Sequence, residues 1–524
     1  MTAKVQAVPR ELLSRNPANG EVLREFQCAD EAEVQAAVAS ARSVQKSWEQ
    51  RGVGGRVALL RRFERLLYEK RSEVARLITQ EAGKPYVEAL LTEVMVTLEA
   101  ARFYARNAPR MLQRERIPHA NLALKAKSGW LLREAHGVVG IVSPWNYPFC
   151  IPATQAMAAL VAGNAVVLKP SEFTPQCALE LQTLMRAAGL PEEIFQVLIG
   201  DGITGALLSA SAIDKLVFTG SLASGKRVAQ AAALRLLPVV LELGGKDPML
   251  VLDDADVEIA SSAAIWGAFV NAGQACLSVE RCYVHRRLYA GFVSACVEKT
   301  KKLILGDGMD PRTEVGPLIS PQQVKTVERH LEDAKAQGAR VLTGGVRVPQ
   351  LGTNFYEPTV IADVDHSMLI MREETFGPVL PIMAFDNDDE AIRLANDSEF
   401  GLAASIWTRN RARGEALAAR IQAGTVMVND VISCFGISEA PHGGVKSSGL
   451  GRTHGRMGLE EMVRLKYVDS DLLPRMRKVW WYGYGPEFTG QMEAFMEFLF
   501  APRVRAKIRG ALKSAGSLMR KGKL

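Results

Sequence analysis

The 524 residues are 48% apolar and 23% charged, an ordinary globular balance in a chain too long for one hydrophobic core, so two or three domains are expected. The net charge of +7 suggests nucleic acid until it is located: residues 501–524 hold eight Lys/Arg and no acid, which leaves the body close to neutral. Seven scattered cysteines with no C-x-x-C pair and no zinc-like His/Cys spacing argue against a disulfide scaffold or metal site and for reduced thiols in a reducing compartment.

The N-terminal "MTAKVQAVPRELLSRNPANG" has no apolar run, so neither a secretory signal nor a transit peptide is expected and the mature chain is read as starting near Met1. From about 30 to 110 the pattern is helical, opening on an Asp cap at "DEAEV" and with a stop at Gly83. Residues 137–168 carry no charge and are long enough to cross a bilayer. Their Asn, Ser and Gln and three prolines predict strand, loop, buried helix and strand instead. To about 270, "GVVGIVSP", "NAVVLKP", "IFQVLIG", "KLVFTG", "LPVVLELGG" and "PMLVLDD" alternate with helical stretches, the pattern of βαβ units in a doubly wound α/β sheet. A second α/β alternation runs from 271 to about 445 through "RCYVHRR", "ARVLTGG", "VLPIMAF", "LAASIWT" and "GTVMVND".

Four stretches could carry chemistry. "VVLKPSE" brings Lys169 and Glu172 to the carboxyl edge of a sheet, where nucleotides bind, although a solvated strand end looks the same. "KLVFTGSLASGKRVAQAAA" reads as strand, small-residue turn and helix, making Gly220, Ser221 and Gly225 candidates for a pyrophosphate contact, or simply a turn that needs glycine. In "LELGGKDP", Glu242 follows an apolar run, so it is either a base of raised pKa or the partner of Lys246. In "NAGQACLSVERC", Cys276 is either a small core residue or a nucleophile.

Together with "SPWNYPF" (143–149), "EETFGPV" (373–379) and "PHGGVKSSGLGR" (441–452), these motifs stand in an order that resembles the aldehyde dehydrogenase superfamily from about residue 15 to about 470. The resemblance implies Cys276 as nucleophile, Glu242 as general base, and Asn146 as oxyanion donor beside the Cys276 N–H. It implies a cofactor site formed by Trp145, Lys169, Ser171, Glu172, Gly220, Ser221, Gly225, Gly244, Glu374 and Phe376. Glu172 would repel a 2′-phosphate, which favours NAD, while Lys169 and Ser171 leave NADP open. A carboxylate at 242 favours a free acid as product over an acyl-CoA. The implied architecture is two doubly wound α/β domains, a Rossmann-like cofactor domain (1–112 and 136–243) and a catalytic domain (244–446). A small β bridging element (113–135 and 447–470) and an extension (471–524) complete it.

The resemblance departs at His442, where the family often has a Phe at the substrate pocket. That imidazole either fills the same space or touches substrate. "RMRKVWWYGYGP", "MEAFMEFLF" and a basic segment with Val504, Ile508, Leu512 and Ala515 at helical spacing make the tail an amphipathic extension. Contact of residues 475–524 with an anionic membrane surface is expected ahead of docking on a neighbouring subunit, and nucleic acid is not expected. The reading is a cytoplasmic homodimer or homotetramer, peripheral on the inner face of a membrane. It oxidises a medium- or long-chain aliphatic or aromatic aldehyde to the acid with NAD. The alternatives are a thiol-dependent ester hydrolase that does not use nicotinamide, a succinate-semialdehyde-type dehydrogenase, and a binding protein on the same scaffold.

Overall fold

Asp30 opens the first long helix, Glu31–Gln50, as the sequence predicts. Its carboxylate accepts from the Glu33 N–H, and the Glu33 side chain accepts from the Asp30 N–H, each at 2.9 Å. The second helix, Gly52–Ala82, stops where Gly83 takes a φ of 81° and a side chain would run into Pro17 and Pro317. A wider π turn, Ala89–Val94, then precedes the helix Met95–Met111, and the sequence periodicity gives no sign of it. The structure is a computed structural model and describes residues 10–121, 124–476, 478 and 480–521, with side chains left undescribed beyond 513.

The described residues form two compact units: those up to Leu112 with Glu134–Arg464, and Gln113–Arg133 with those from Leu465 onward. The first unit holds a two-stranded antiparallel sheet, Glu11–Arg15 with Val22–Gln27, and two large sheets, each over its own buried cluster. One sheet is ordered Gly449–Leu450, Val239–Glu242, Lys215–Thr219, Val138–Val142, Ala165–Lys169 and Phe195–Val197, all parallel except the first strand. The strand Val138–Val142, earliest in the chain, lies in its interior, and the chain winds outward to both sides of it.

The second sheet is ordered Arg340–Thr343, Thr359–Ala362, Val379–Phe385, Val279–His285, Asp247–Val251, Ala403–Trp407 and Thr425–Val428, again parallel except for the first pair. Both sheets are therefore the doubly wound α/β type expected. The run "PMLVLDD" reads in sequence as the end of the first alternation, yet Asp247–Val251 pairs inside the second sheet. The switch is made at Gly244 and Gly245, and a side chain on Gly245 would lie 2.6 Å from the Cys276 carbonyl.

The second unit contributes a three-stranded sheet ordered Val463–Asp471, Lys127–Ala135 and Glu115–Ile117. It also holds two helices, Pro486–Phe500 and Val504–Lys521. No helix among the described residues is long and apolar enough to cross a membrane.

Candidate active site

Where the strand order reverses, on either side of Val138–Val142, the loops leaving neighbouring carboxyl ends diverge and open a crevice. Pro144, Trp145 and Asn146 leave one strand, and Gly220 and Ser221 leave the next. They border a cavity of about 270 Å³ that is also lined by Glu242, Gly244, Cys276, Glu374 and Phe376. Ser221 caps the helix Leu222–Ala233, so the positive end of that helix borders the cavity. A side chain on Gly220 would strike the Phe218 ring at 2.8 Å, and one on Gly244 would strike the Glu374 carboxylate at 2.4 Å. Gly220 thus leaves room for the buried Phe218 ring behind the turn, and Gly244 leaves room for the Glu374 carboxyl at the cavity wall.

Four sequence candidates lie outside that lining. Gly225 sits one turn into the helix, where a side chain would meet Leu243 at 2.3 Å, so the glycine serves helix-to-strand packing. Lys169, Ser171 and Glu172 follow the neighbouring strand end. The Lys169 Nζ is 3.5 Å from Glu172, and the Ser171 hydroxyl donates to the same carboxylate at 3.4 Å. Burial pulls the Lys169 pKa down, with Glu172 opposing it.

The far wall is held by a buried carboxylate. Glu280 accepts from the N–H groups of Thr375 at 3.1 Å and Phe376 at 2.9 Å, and is itself paired with Lys246 at 2.5 Å. This fixes Phe376 at a φ of 53°, with its ring edge-to-face on Trp145 at 5.4 Å. Glu374 accepts from the Gly245 N–H at 3.1 Å, and burial, reinforced by Glu280, raises its pKa to about 8.

Because Lys246 is committed to Glu280, the alternative partner for Glu242 is gone. One Glu242 oxygen accepts from the Thr453 hydroxyl at 3.3 Å, while the other is buried with no hydrogen-bond partner among the described residues. Burial raises the Glu242 pKa to about 8, so the carboxyl is mostly protonated at neutral pH and ionises a little above it. The His442 ring lies 3.8 Å from that carboxyl, and burial, followed by His454 and Arg452, lowers its pKa to about 3. It packs edge-to-face on Phe435, and His454 packs on the same ring. Sequence reading missed His454 and Phe435, because only the fold brings 435, 442 and 454 to one wall.

Cys276 follows a loop in which buried Asn271 and Ala272 hold φ values of 53° and 56°. The turn is fixed by Glu88, which accepts from the Asn271 N–H at 2.9 Å, and by the Asn271 amide, which donates to the Asn146 and Gln274 carbonyls at 3.0 Å. The Asn146 side-chain amide donates to the Gln274 carbonyl at 3.1 Å, leaving its second N–H for another acceptor. Lys84, in a fully buried pair with Glu93, donates to the Asn146 carbonyl at 2.8 Å. The Cys276 thiol is pushed well up by burial and then by Asp247, Glu374 and Glu242, so a base must help it ionise.

A second cavity of about 270 Å³ meets the first at Cys276. Leu91, Met95, Val96, Tyr147, Ile151, Trp266, Val270, Leu277, Ile432 and Phe435 form most of its wall, and no Lys, Arg, His, Asp or Glu lines it. Sequence motifs gave no hint of this surface, since four separate segments build it. No group of His, Cys, Asp and Glu suited to a metal occurs among the described residues.

The model of the aldehyde dehydrogenase family matches residues 5–468. A 4,4'-diapolycopene aldehyde oxidase of Methylomonas sp is 39% identical over 93% of this chain and 90% of its own. A putative succinate-semialdehyde dehydrogenase [NADP(+)] of Mycolicibacterium smegmatis is 40% identical over 85% of each chain. Among solved structures, the NAD+ complex of an aldehyde dehydrogenase from Bacillus cereus superposes with a TM-score of 0.85 at 37% identity, over 88% of this chain and 94% of that one. An E. coli NADP-dependent enzyme gives 0.84 at 35% identity, over 88% and 95%. The chain belongs to the aldehyde dehydrogenase family and is an NAD(P)-dependent oxidoreductase of aldehydes.

Proposed function

We propose that the enzyme oxidises apolar aldehydes, medium- or long-chain aliphatic or aromatic, to carboxylic acids through a covalent adduct on Cys276. The observation that carries this reading is the second cavity, which reaches Cys276 through an apolar wall without one charged side chain. The relative named as an oxidase of 4,4'-diapolycopene aldehyde, matched over 93% of this chain, agrees with it.

Glu242, acting through water, takes the thiol proton, and the Cys276 sulfur adds to the aldehyde carbon. The resulting oxyanion accepts from the second Asn146 amide N–H and from the Cys276 backbone N–H. Trp145, Ser221, Glu374 and Phe376 would hold NAD(P)+, with Lys169, Ser171 and Glu172 as candidates for its adenosine end, and the bound cofactor would accept the hydride that the adduct carbon gives up on becoming a thioester. Once Glu242 has passed the thiol proton through water to solvent, it removes a proton from the water that attacks this thioester and returns it to the departing Cys276 sulfur as the acid is released. NAD is proposed as the preferred cofactor because the Glu172 carboxylate would face a 2′-phosphate with like charge.

The relatives named as putative succinate-semialdehyde dehydrogenases favour a second reading, a carboxyl-bearing aldehyde. Against it stands a cavity without Arg or Lys to receive that carboxylate. The test is kcat/KM over straight-chain aldehydes of increasing length and over succinate semialdehyde, with NAD and NADP in parallel. Each methylene buried at about 0.8 kcal/mol predicts a rise of about fourfold per carbon until the cavity is full. A maximum at succinate semialdehyde would overturn the proposal.

We also propose a homodimer or homotetramer joined through Val463–Asp471, an edge strand whose Leu465, Tyr467 and Val468 are exposed. Sedimentation that gives a monomer would refute it. A cytoplasmic location is supported by the seven cysteines, all unpaired.

A further inference from the structure

The two helices of the tail are packed against each other on one side only. A side chain on Gly510 would lie 2.4 Å from the Phe498 nitrogen and 2.6 Å from the Ala494 carbonyl, so the backbones touch there, and Arg509 pairs with Glu497. At 3.6 residues per turn, Val504, Ile508 and Leu512 fall on the face turned away from Gly510. They are 72%, 56% and 77% exposed. Phe500 and Met496 of the first helix are also exposed, as are Trp480, Trp481, Tyr482 and Tyr484 just before it. Arg505, Arg509 and Lys513 run along one edge of the apolar stripe and Lys507 along the other, with no acid between 501 and 524.

We propose that this helical pair docks on an anionic lipid bilayer. The Val504–Ile508–Leu512 stripe enters the boundary between headgroups and acyl chains, the basic edges meet lipid phosphates, and the Trp and Tyr cluster sits at headgroup level. An apolar stripe flanked by cations on both sides matches that layered surface, with its anionic skin over hydrocarbon. A second copy of the same face would bring like charges together, and a nucleic acid offers phosphate but no hydrocarbon for Val, Ile and Leu. The inference goes beyond the active-site reading and uses it only for a purpose: apolar aldehydes partition into bilayers, and a docked enzyme meets them there.

The experiment is flotation of the full-length enzyme with vesicles of phosphatidylcholine alone or mixed with phosphatidylglycerol. The enzyme is expected to float with the mixed vesicles and not with phosphatidylcholine alone. Ile508→Asp with Leu512→Asp, and separately Arg505→Glu with Lys513→Glu, are each expected to cut the bound fraction at least about tenfold. Turnover of a short, water-soluble aldehyde should stay within about twofold in both variants, which separates failure of docking from failure of the chemistry. Wild-type enzyme that stays unbound with both vesicle types overturns the proposal. So does flotation indifferent to both variant pairs, or a variant that lowers the sedimentation coefficient without vesicles, which would make the face a contact between copies. Displacement from mixed vesicles by nucleic acid, with no loss in the Ile508/Leu512 variant, would do the same.

Discussion

The two cavities that meet at Cys276 are alike in size and opposite in chemistry. One is bordered by a helix N-terminus, two carboxyl groups raised to about 8, an amide and small-residue turns, and the other mostly by aliphatic and aromatic side chains, with Thr92 and Ser433 among them and no charged residue. The first can hold and activate, because low-dielectric burial tunes the groups it contains. The second can select by shape and apolar area, with no Lys, Arg, His, Asp or Glu in its wall. The contrast teaches that chemistry and specificity reach the same sulfur from opposite sides and can be changed separately.

The largest effect belongs to the shared atom. Cys276→Ser should lower aldehyde-dependent NADH formation by about 10⁴-fold or more for every aldehyde, long or short, since a hydroxyl at that position has no base strong enough to ionise it. A loss confined to one chain length would break the division. Next, Glu242→Gln should slow turnover by about 10²- to 10⁴-fold and slow the first turnover of NADH formation as well, because both thiol ionisation and thioester hydrolysis lose their base. In the wild type the working form of Glu242 is the ionised one, and burial holds its pKa at about 8. Steady-state rates should therefore rise about tenfold per unit below pH 8 and level off above it. A rate that falls between pH 6 and 8 would exclude this base.

On the apolar side, Trp266→Ala should lower kcat/KM for a long-chain aldehyde about tenfold through lost burial and leave acetaldehyde nearly unchanged. An equal loss for both would mean that the tryptophan supports the chemistry instead. The smallest effect is expected at His442, in the wall of the first cavity. His442 is neutral, and at 3.8 Å from the Glu242 carboxyl it is beyond hydrogen-bond range, so His442→Phe should stay within about threefold in kcat/KM. A larger loss, or a displaced pH midpoint, would show the imidazole working on Glu242.

The Asp30 start and Gly83 stop of the long helices, the alternating strands, the small-residue turn into a helix at 220–225, and Glu242 at the end of an apolar run were all legible in the sequence, because each depends on neighbours a few residues away. The order of motifs also carried Cys276, Asn146, Glu374 and Phe376 to one place before any coordinates did. What separates Glu242 from Lys246 was not legible. Only pairing across the fold gives the lysine to Glu280, which in turn holds Thr375 and Phe376 in place. The apolar cavity was equally hidden, since Met95, Tyr147, Trp266 and Phe435 share a wall only after four segments have packed. The π turn at Ala89–Val94 and the side of the last helix that faces its neighbour also awaited tertiary structure. By itself the sequence determined what is local: element type, caps, and the residue kinds the chemistry needs. The tertiary structure decided what is non-local, namely which charges are neutralised, which are left buried and shifted, and what shape of substrate can reach the sulfur. Burial and partner choice are properties of packing, and periodicity does not encode them.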